Sequence, residues 1–121
     1  MFFKIVEDFK EIIKDFEIKD YKRYGSAKAI VAKIEFIDNS VLHIKDYFFL
    51  KGKRKYSYHW QDEKGNLLIR WDNSPHHFHI NTFPDHKHIK NEVVKSKETD
   101  LRAVMEIVNY SVLTDGASKG A

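Results

Sequence analysis

Residues 56–88 read YSYHWQDEKGNLLIRWDNSPHHFHINTFPDHKH, and their pattern predicts a β-sheet. The first part alternates in polarity, so that Tyr56, Tyr58 and Trp60 fall on one side of an extended chain with polar residues between them. A period of two is typical of a strand with one buried face. The same stretch holds six of the seven histidines and both tryptophans. We therefore expect this part of the sheet to carry a functional site.

The same alternation predicts four strands in antiparallel order. The strands are predicted over 30–36, 41–50, 54–61 and 67–72. The turns between them are predicted at Asp38-Asn39, Lys51-Gly52-Lys53 and 62–66. Residues 73–97 have no clear period and are predicted to be irregular. If the Tyr56 side of its strand lies in the core, then His59 and Arg70 lie on the opposite face, on adjacent strands.

Helices are predicted at both ends of the chain. Residues 2–16 place apolar side chains at the i, i+3, i+4, i+7 spacing of an amphipathic helix. A second helix begins after a cap at Thr99 or Asp100 and ends at Gly116, leaving a frayed SKGA tail. The predicted fold class is α+β: an N-terminal helix, a four-stranded antiparallel meander, a histidine-rich irregular segment and a C-terminal helix packed on the sheet.

Composition narrows the classes of function. A chain of 121 residues is expected to form a single domain over its whole length. It has no cysteine, which excludes disulfides and thiolate metal sites, and no run of about 18 apolar residues that predicts a membrane span. We expect a cytoplasmic protein. The net charge of +3, from 21 basic and 18 acidic residues, permits contact with nucleic acid without requiring it.

The histidine-rich stretch favours RNA cleavage by acid–base chemistry without a metal or other cofactor. Such cleavage needs a base for the 2′-hydroxyl proton, an acid for the leaving 5′-oxygen and a cation for the phosphate. We predict His59 and His76 as acid and base, and Arg70 as the cation. Asp72 is predicted to orient a histidine. The further catalytic candidates are His86 and His88, and the candidates for binding RNA are Lys53, Arg54, Lys55, His77 and Lys87.

A metal site is an alternative use of the same residues. His77-x-His79 and His86-x-His88 each place two imidazoles on one side of an extended strand. A carboxylate completes such a set, and the nearby candidates are Asp72 and Asp85. The competing function is therefore a non-catalytic module that binds metal or nucleic acid through these histidines.

A purely structural role is the other alternative. His43 and His79 fit ordinary packing or solvent exposure best, and they are left out of the predicted site. Arg70 and Asp72 would then form only a charged pair on a sheet face.

The run YSYHWQD…GNLLIRWDNSPHH…TFPDHKH resembles the TumE-like family of prokaryotic toxin–antitoxin proteins. The family pattern is similar: a Y-S-Y-H-[WY]-Q strand, a [FR]-[WY]-D-N-x-P-H-H turn and a T/S-F-P-H-H-K-H segment. This chain departs from it at Asp85, where the family has histidine, and at Phe78, where the family often has proline. The matching positions are Tyr56, Tyr58, His59, Arg70, Asp72, Asn73, Pro75, His76, His77, Pro84, His86, Lys87 and His88.

The resemblance implies a small toxin that is restrained by a separately encoded antitoxin, typically a helix-turn-helix protein. Ribonuclease activity follows from the histidines and from the usual action of such toxins, and the layout is similar to RelE-type ribonuclease toxins by analogy only. We expect the N-terminal helix to contact the antitoxin. The sequence leaves the oligomeric state open, a homodimer included.

Overall fold

The computed structural model describes residues 1–118, with side chains through Thr114, and it is built on one seven-stranded sheet. Each strand pairs antiparallel with the next one in the chain, so the order in the sheet follows the sequence. A helix, α1 (Phe2–Asp8), precedes the sheet, and a second helix, α2 (Leu101–Ser118), follows it. The strands are β1 (Ile13–Tyr24), β2 (Ala27–Phe36), β3 (Val41–Phe48), β4 (Arg54–Gln61), β5 (Leu67–Asp72), β6 (His86–Ile89) and β7 (Glu92–Lys95).

The α+β class and the two terminal helices are correct, but the prediction of a four-stranded meander is wrong. Three further strands extend the sheet at its two edges: β1 on one side, and β6 with β7 on the other. The alternation of β1 is broken because its pairing with β2 has irregularities between Ile13 and Asp15 and between Ile18 and Asp20. An inserted residue reverses the side on which later side chains point, so a period of two does not show in the sequence.

The prediction of one helix over residues 2–16 is also wrong. The helix α1 stops at Asp8, and Phe9 already leaves the helical region at φ −111° and ψ 20°. Phe9 and Ile12 are nevertheless buried, since the turn that follows the helix runs along the same core. Apolar residues at intervals of three and four therefore fit a short helix, a turn and the start of a strand equally well.

Residues 73–97 were predicted to be irregular, and this is wrong for β6 and β7. The two strands form a hairpin whose two turn residues, Lys90 and Asn91, have positive φ angles of 49° and 70°. Two positive φ angles are what a tight two-residue hairpin turn requires, and Asn-Gly or Asp-Gly is its usual sequence signal. Lys-Asn is a weaker signal, so the hairpin is hard to predict.

One face of the sheet carries both helices and forms the core. Tyr56, Tyr58 and Trp60 are buried there, which confirms the predicted orientation of β4. Asp100 caps α2, because its carboxylate accepts a hydrogen bond from the Ala103 backbone N–H at 2.9 Å. The helix continues past Gly116, so the predicted end is wrong. Residues 119–121 of the predicted frayed tail lie outside the described residues.

Within the described residues, neither helix has the length and apolar character that crossing a membrane requires.

Candidate functional site

The face of the sheet opposite the helices carries a straight row of basic side chains. The row crosses five adjacent strands, from β2 to β6, and each member is the direct cross-strand partner of the next: Lys33, His43, His59, Arg70 and His88. Neighbouring strands are about 4.8 Å apart, so consecutive side chains are close enough to interact. His59 and Arg70 lie on adjacent strands of this face, as predicted, and the register, which the sequence left open, makes them direct partners.

A second row lies beside the first on the same face, two residues away along each strand. It contains Lys45, Ser57, Asp72, His86 and Lys95. Asp72 is the acidic member, and it lies next to Arg70, with 3.3 Å between Arg70 Nε and Asp72 Oδ2. Five members of these two rows form what we call the open-face site. They are His59, Arg70, Asp72, His86 and His88.

Asp72 is held as a carboxylate by its hydrogen bonds. Burial would raise its pKa, but the backbone N–H and hydroxyl of Ser74 both donate to Oδ1, at 3.0 and 2.8 Å. His86 and Arg70 add favourable charge interactions, and the pKa of Asp72 lies below its usual range as a result. The site therefore keeps a fixed negative charge between Arg70 and the two histidines of β6.

The surroundings of His59 favour the neutral imidazole by lowering its pKa. Partial burial lowers its pKa first, and the positive charge of Arg70 lowers it further, with His43 as a smaller contribution. Arg70 Nη1 lies 3.4 Å from His59 Nδ1. Because arginine can only donate, this contact favours the tautomer in which Nδ1 accepts and Nε2 carries the proton. In this tautomer the one lone pair of the ring is on Nδ1, where it faces the guanidinium.

The two histidines of β6 meet a third histidine from the loop that precedes the strand. His77 lies with its ring centroid 4.7 Å from that of His86 and 5.8 Å from that of His88. Burial lowers the pKa of His88, although Asp72, with Oδ2 3.4 Å from His88 Nε2, acts in the opposite direction. We call His77, His86 and His88 the histidine triad.

Most of the predicted catalytic residues thus come together, and one does not. His59, Arg70, Asp72, His86 and His88 share the open face, and His77 adjoins them. His76 is exposed on the loop, and nothing the structure describes joins its side chain to this group. Its catalytic role remains a prediction.

The predicted basic residues for binding RNA are divided between the two faces. Lys55 is exposed on the same side of β4 as His59, and Lys53 is exposed just before that strand. Arg54 lies on the helix-covered side, where it is paired with Asp46 at 2.9 Å. Lys87 also points away from the open face and binds Glu98 at 2.8 Å.

Three neighbours of the site were not predicted from the sequence. His43, set aside as a packing residue, is the cross-strand partner of His59, with ring centroids 6.2 Å apart. Lys33 extends the row by one strand, and Ser74 fixes the Asp72 carboxylate. The alternation of β3 could have placed His43 on the same face, whereas the role of Ser74 depends on the turn after β5.

These features define a small α+β protein whose open sheet face is lined with histidine, arginine and lysine side chains. The chain belongs to the Toxin TumE family, whose family model matches residues 2–112. This confirms the resemblance found in the middle of the chain and extends it to both helices. The family supports a toxin role and with it an antitoxin partner. Comparison with curated proteins and with solved structures gives no significant match.

Proposed function

We propose that this toxin is an endoribonuclease that cleaves RNA by metal-independent acid–base chemistry at the open-face site. The observation that carries the proposal is the position of Arg70 between two histidines, His59 and His88, on three adjacent strands. A phosphate bound by the guanidinium would have an imidazole on either side. Transfer of RNA phosphate to its own 2′-oxygen needs this combination of base, acid and cation.

His59 is assigned the role of general base because burial and the adjacent Arg70 charge lower its pKa. When Arg70 turns from Nδ1 to the phosphate, the freed Nδ1 lone pair of His59 takes the proton of the 2′-hydroxyl, the 2′-oxygen attacks phosphorus, and the bond to the 5′-oxygen breaks. Arg70 stabilises the charge that develops on the phosphoryl oxygens. The products are a 2′,3′-cyclic phosphate and a free 5′-hydroxyl.

His88 is the proton donor that the geometry favours for the leaving 5′-oxygen. It lies across Arg70 from His59, and the Asp72 carboxylate, 3.4 Å from its Nε2, offsets part of the lowering of its pKa that burial causes. Asp72 also fixes Arg70, so one carboxylate positions both groups. His76 remains the competing donor, since a mobile RNA strand can reach an exposed loop side chain.

Charge on the same face supports RNA as the substrate. Lys33, Lys45 and Lys55 all project from the open face of β2, β3 and β4. Lysines spread over a sheet surface attract a phosphate backbone without selecting a sequence. They extend well beyond the Arg70 position and therefore fit a chain of several nucleotides.

The experiment is cleavage of total RNA and of tRNA by purified protein in EDTA. We expect EDTA-resistant cleavage that leaves 2′,3′-cyclic phosphate ends, and a loss of about 100-fold or more in His59→Ala, since general acid–base catalysis contributes that much. His79→Ala, an exposed loop histidine outside the site, is the matched control and should cleave normally.

Two outcomes would contradict the proposal: wild-type cleavage by His59→Ala, or cleavage only when a divalent metal is added. Comparison of His88→Ala with His76→Ala assigns the acid, because only the true donor is needed for the leaving-group step. Loss of growth inhibition in His59→Ala, with unchanged circular dichroism, would link the chemistry to toxicity.

The antitoxin is proposed to be a small helix-turn-helix protein that contacts α1. Phe3 supports this surface, because it is 64% exposed and packs edge-on against Phe2 and the partly exposed Phe16. An exposed aromatic cluster is a common feature of protein interfaces. Co-purification with the product of a neighbouring gene tests the partner.

A further inference from the structure

The histidine triad brings three imidazole nitrogens to one point beside the Asp72 carboxylate. His86 and His88 are two residues apart on β6 and so point to the same side, while His77 reaches them from the preceding loop. One ring nitrogen from each lies within 4.8 Å of the others. The rings are inclined to one another by 65° to 76° rather than stacked.

His86 is fixed in the tautomer that a metal ligand needs. Its Nδ1 lies 2.9 Å from the Pro84 carbonyl oxygen, which can only accept, so Nδ1 carries the proton. In the neutral ring, which is the form that ligates a metal, the lone pair is then on Nε2. A backbone carbonyl that holds one ring nitrogen of a histidine, leaving the other free, is the usual outer support of a metal-bound imidazole.

The free nitrogen of His86 is buried and lacks a hydrogen-bond partner among the described residues. The side chain is 1% exposed. Asp72 Oδ1 lies 2.9 Å from Nε2 but without the alignment that a hydrogen bond requires. Native proteins rarely leave a buried polar atom unsatisfied, and such an atom calls for an explanation. A cation that accepts the lone pair of Nε2 supplies one.

We propose that His77, His86 and His88 bind one divalent transition-metal ion of the zinc class. Imidazole nitrogen suits zinc, nickel, copper and iron, whereas magnesium and calcium prefer oxygen. Asp72 provides the neighbouring negative charge, its oxygens lying 2.9 Å from His86 Nε2 and 3.4 Å from His88 Nε2. Ser74 and Arg70 already bind the Asp72 carboxylate. We therefore assign Asp72 as a charge that balances the metal ion and not as a ligand, so the fourth coordination position of the ion stays open.

The triad must contract when the ion binds. Zinc–nitrogen bonds of about 2.0–2.1 Å in a tetrahedron place the nitrogens about 3.3 Å apart, which is less than the 4.8 Å limit of their present spacing. His77 is the member that can move most easily because it lies on a loop, whereas His86 and His88 are held by β-sheet pairing.

Metal binding has a consequence for the active site, and this part rests on the proposed function. His88 is shared between the triad and the acid–base pair. An imidazole that ligates zinc cannot deliver a proton to a leaving oxygen. We therefore expect zinc to inhibit RNA cleavage.

The binding test uses tag-free protein that has been stripped with EDTA and titrated with Zn²⁺ in a calorimeter, with Co²⁺ as a visible-absorption probe. We expect one ion per chain. His77→Ala should weaken binding by about 100-fold or more, because even outer partners of metal ligands contribute 10–100-fold. His79→Ala, which removes the other histidine of the same HxH pair, is the matched control and should bind as wild type does.

Stoichiometric binding that His77→Ala leaves unchanged would overturn the site, and so would an absence of binding by wild type. Thermal unfolding of the metal-free variants, with equal midpoints, shows that the fold is kept. His77→Ala is the primary variant because its ring is only half-buried, whereas His86 is part of the interior.

A second measurement distinguishes failure of the proposed metal site from failure of the proposed ribonuclease function. The ratio of cleavage rates with and without Zn²⁺ should be well below one in wild type and near one in His77→Ala. Zinc binding without any RNA cleavage would remove the proposed function and leave the metal site. EDTA-resistant cleavage without zinc binding would remove the metal site and leave the proposed function.

Discussion

At the scale of single residues, the chemistry of the open-face site depends on the charge next to each histidine. His59 faces Arg70 on one side and His43 on the other, and partial burial adds to their effect. All three influences favour the neutral imidazole. The site thus keeps a base available in slightly acidic solution, where an isolated histidine would be largely protonated.

Replacing Arg70 with glutamine should raise the pKa of His59. In wild type this pKa is expected to lie below the ordinary value of 6.5, and removal of the guanidinium takes away one of the charges that lower it. The acidic limb of the cleavage profile follows, since activity falls as the pH drops through the pKa of the base. NMR titration of the His59 ring measures the shift directly, and activity against pH measures its effect.

Lys55→Gln is the matched control for that titration. It removes a cation from the same face that the structure does not place in contact with His59, so the pKa of His59 should change little. A pKa of His59 at or above 6.5 in wild type, or a fall in Arg70→Gln, would contradict the assignment.

At the scale of elements, one arginine ties the sheet to the start of α2. Arg54, at the beginning of β4, binds both carboxylate oxygens of Asp46 on β3, at 2.9 Å each, and donates to the Tyr58 hydroxyl. It also donates to the Thr99 carbonyl, just before the helix. Its guanidinium stacks 4.5 Å from the Tyr56 ring centroid. Through these contacts Arg54 connects β4 to β3 and to the start of α2.

Arg54→Ala should lower the free energy of unfolding by about 3 kcal/mol, because it leaves the Asp46 carboxylate, in a residue 8% exposed, without its cationic partner, while the Tyr58 hydroxyl still donates to it. Lys53→Ala changes an exposed neighbouring cation and should stay within about 0.5 kcal/mol of wild type. Urea unfolding followed by circular dichroism gives both values. Equal unfolding midpoints in the two variants, together with weaker RNA binding in Arg54→Ala alone, would favour the substrate-binding role predicted from sequence.

At the scale of the whole molecule, the two faces of the sheet differ in what covers them and in which side chains they carry. One face packs against α1 and α2 and carries the apolar core. The other is uncovered by any helix among the described residues and carries the charged rows. Under the proposed function, RNA binds the open face and the antitoxin binds the helical side.

Replacing both Lys45 and Lys55 with glutamate should weaken RNA binding and make it less sensitive to salt. Each phosphate contact that is lost lowers the slope of log affinity against log salt by about 0.7 for a single strand, so the pair should lower it by about 1.4. Fluorescence anisotropy with a labelled single-stranded RNA measures this slope. The variant Lys64→Glu/Lys97→Glu has the same net charge away from the open-face rows, and it should retain most of the slope. An equal loss in both variants would mean that only net charge matters.

Much of this protein can be predicted from its sequence wherever local pattern and burial agree. The alternation of Tyr56, Tyr58 and Trp60 predicts both the strand and its buried side, and through that the position of His59 and Arg70 on the same open face, although not their register. The Asp100 cap and the family resemblance are equally local signals. In each case the signal lies in residues that are close together in the sequence, because the geometry of a strand or a helix cap involves only a few consecutive positions.

Tertiary structure alone decided the rest. The strand β1 gains its backbone hydrogen bonds from β2, and its irregular register hides the alternation that would mark it. Only the pairing of β5 with β6 brings His88 beside Arg70, and only the fold of the preceding loop brings His77 to His86. Hydrogen bonding between distant segments and the packing of a loop against a strand are not periodic in sequence, so spacing cannot reveal them.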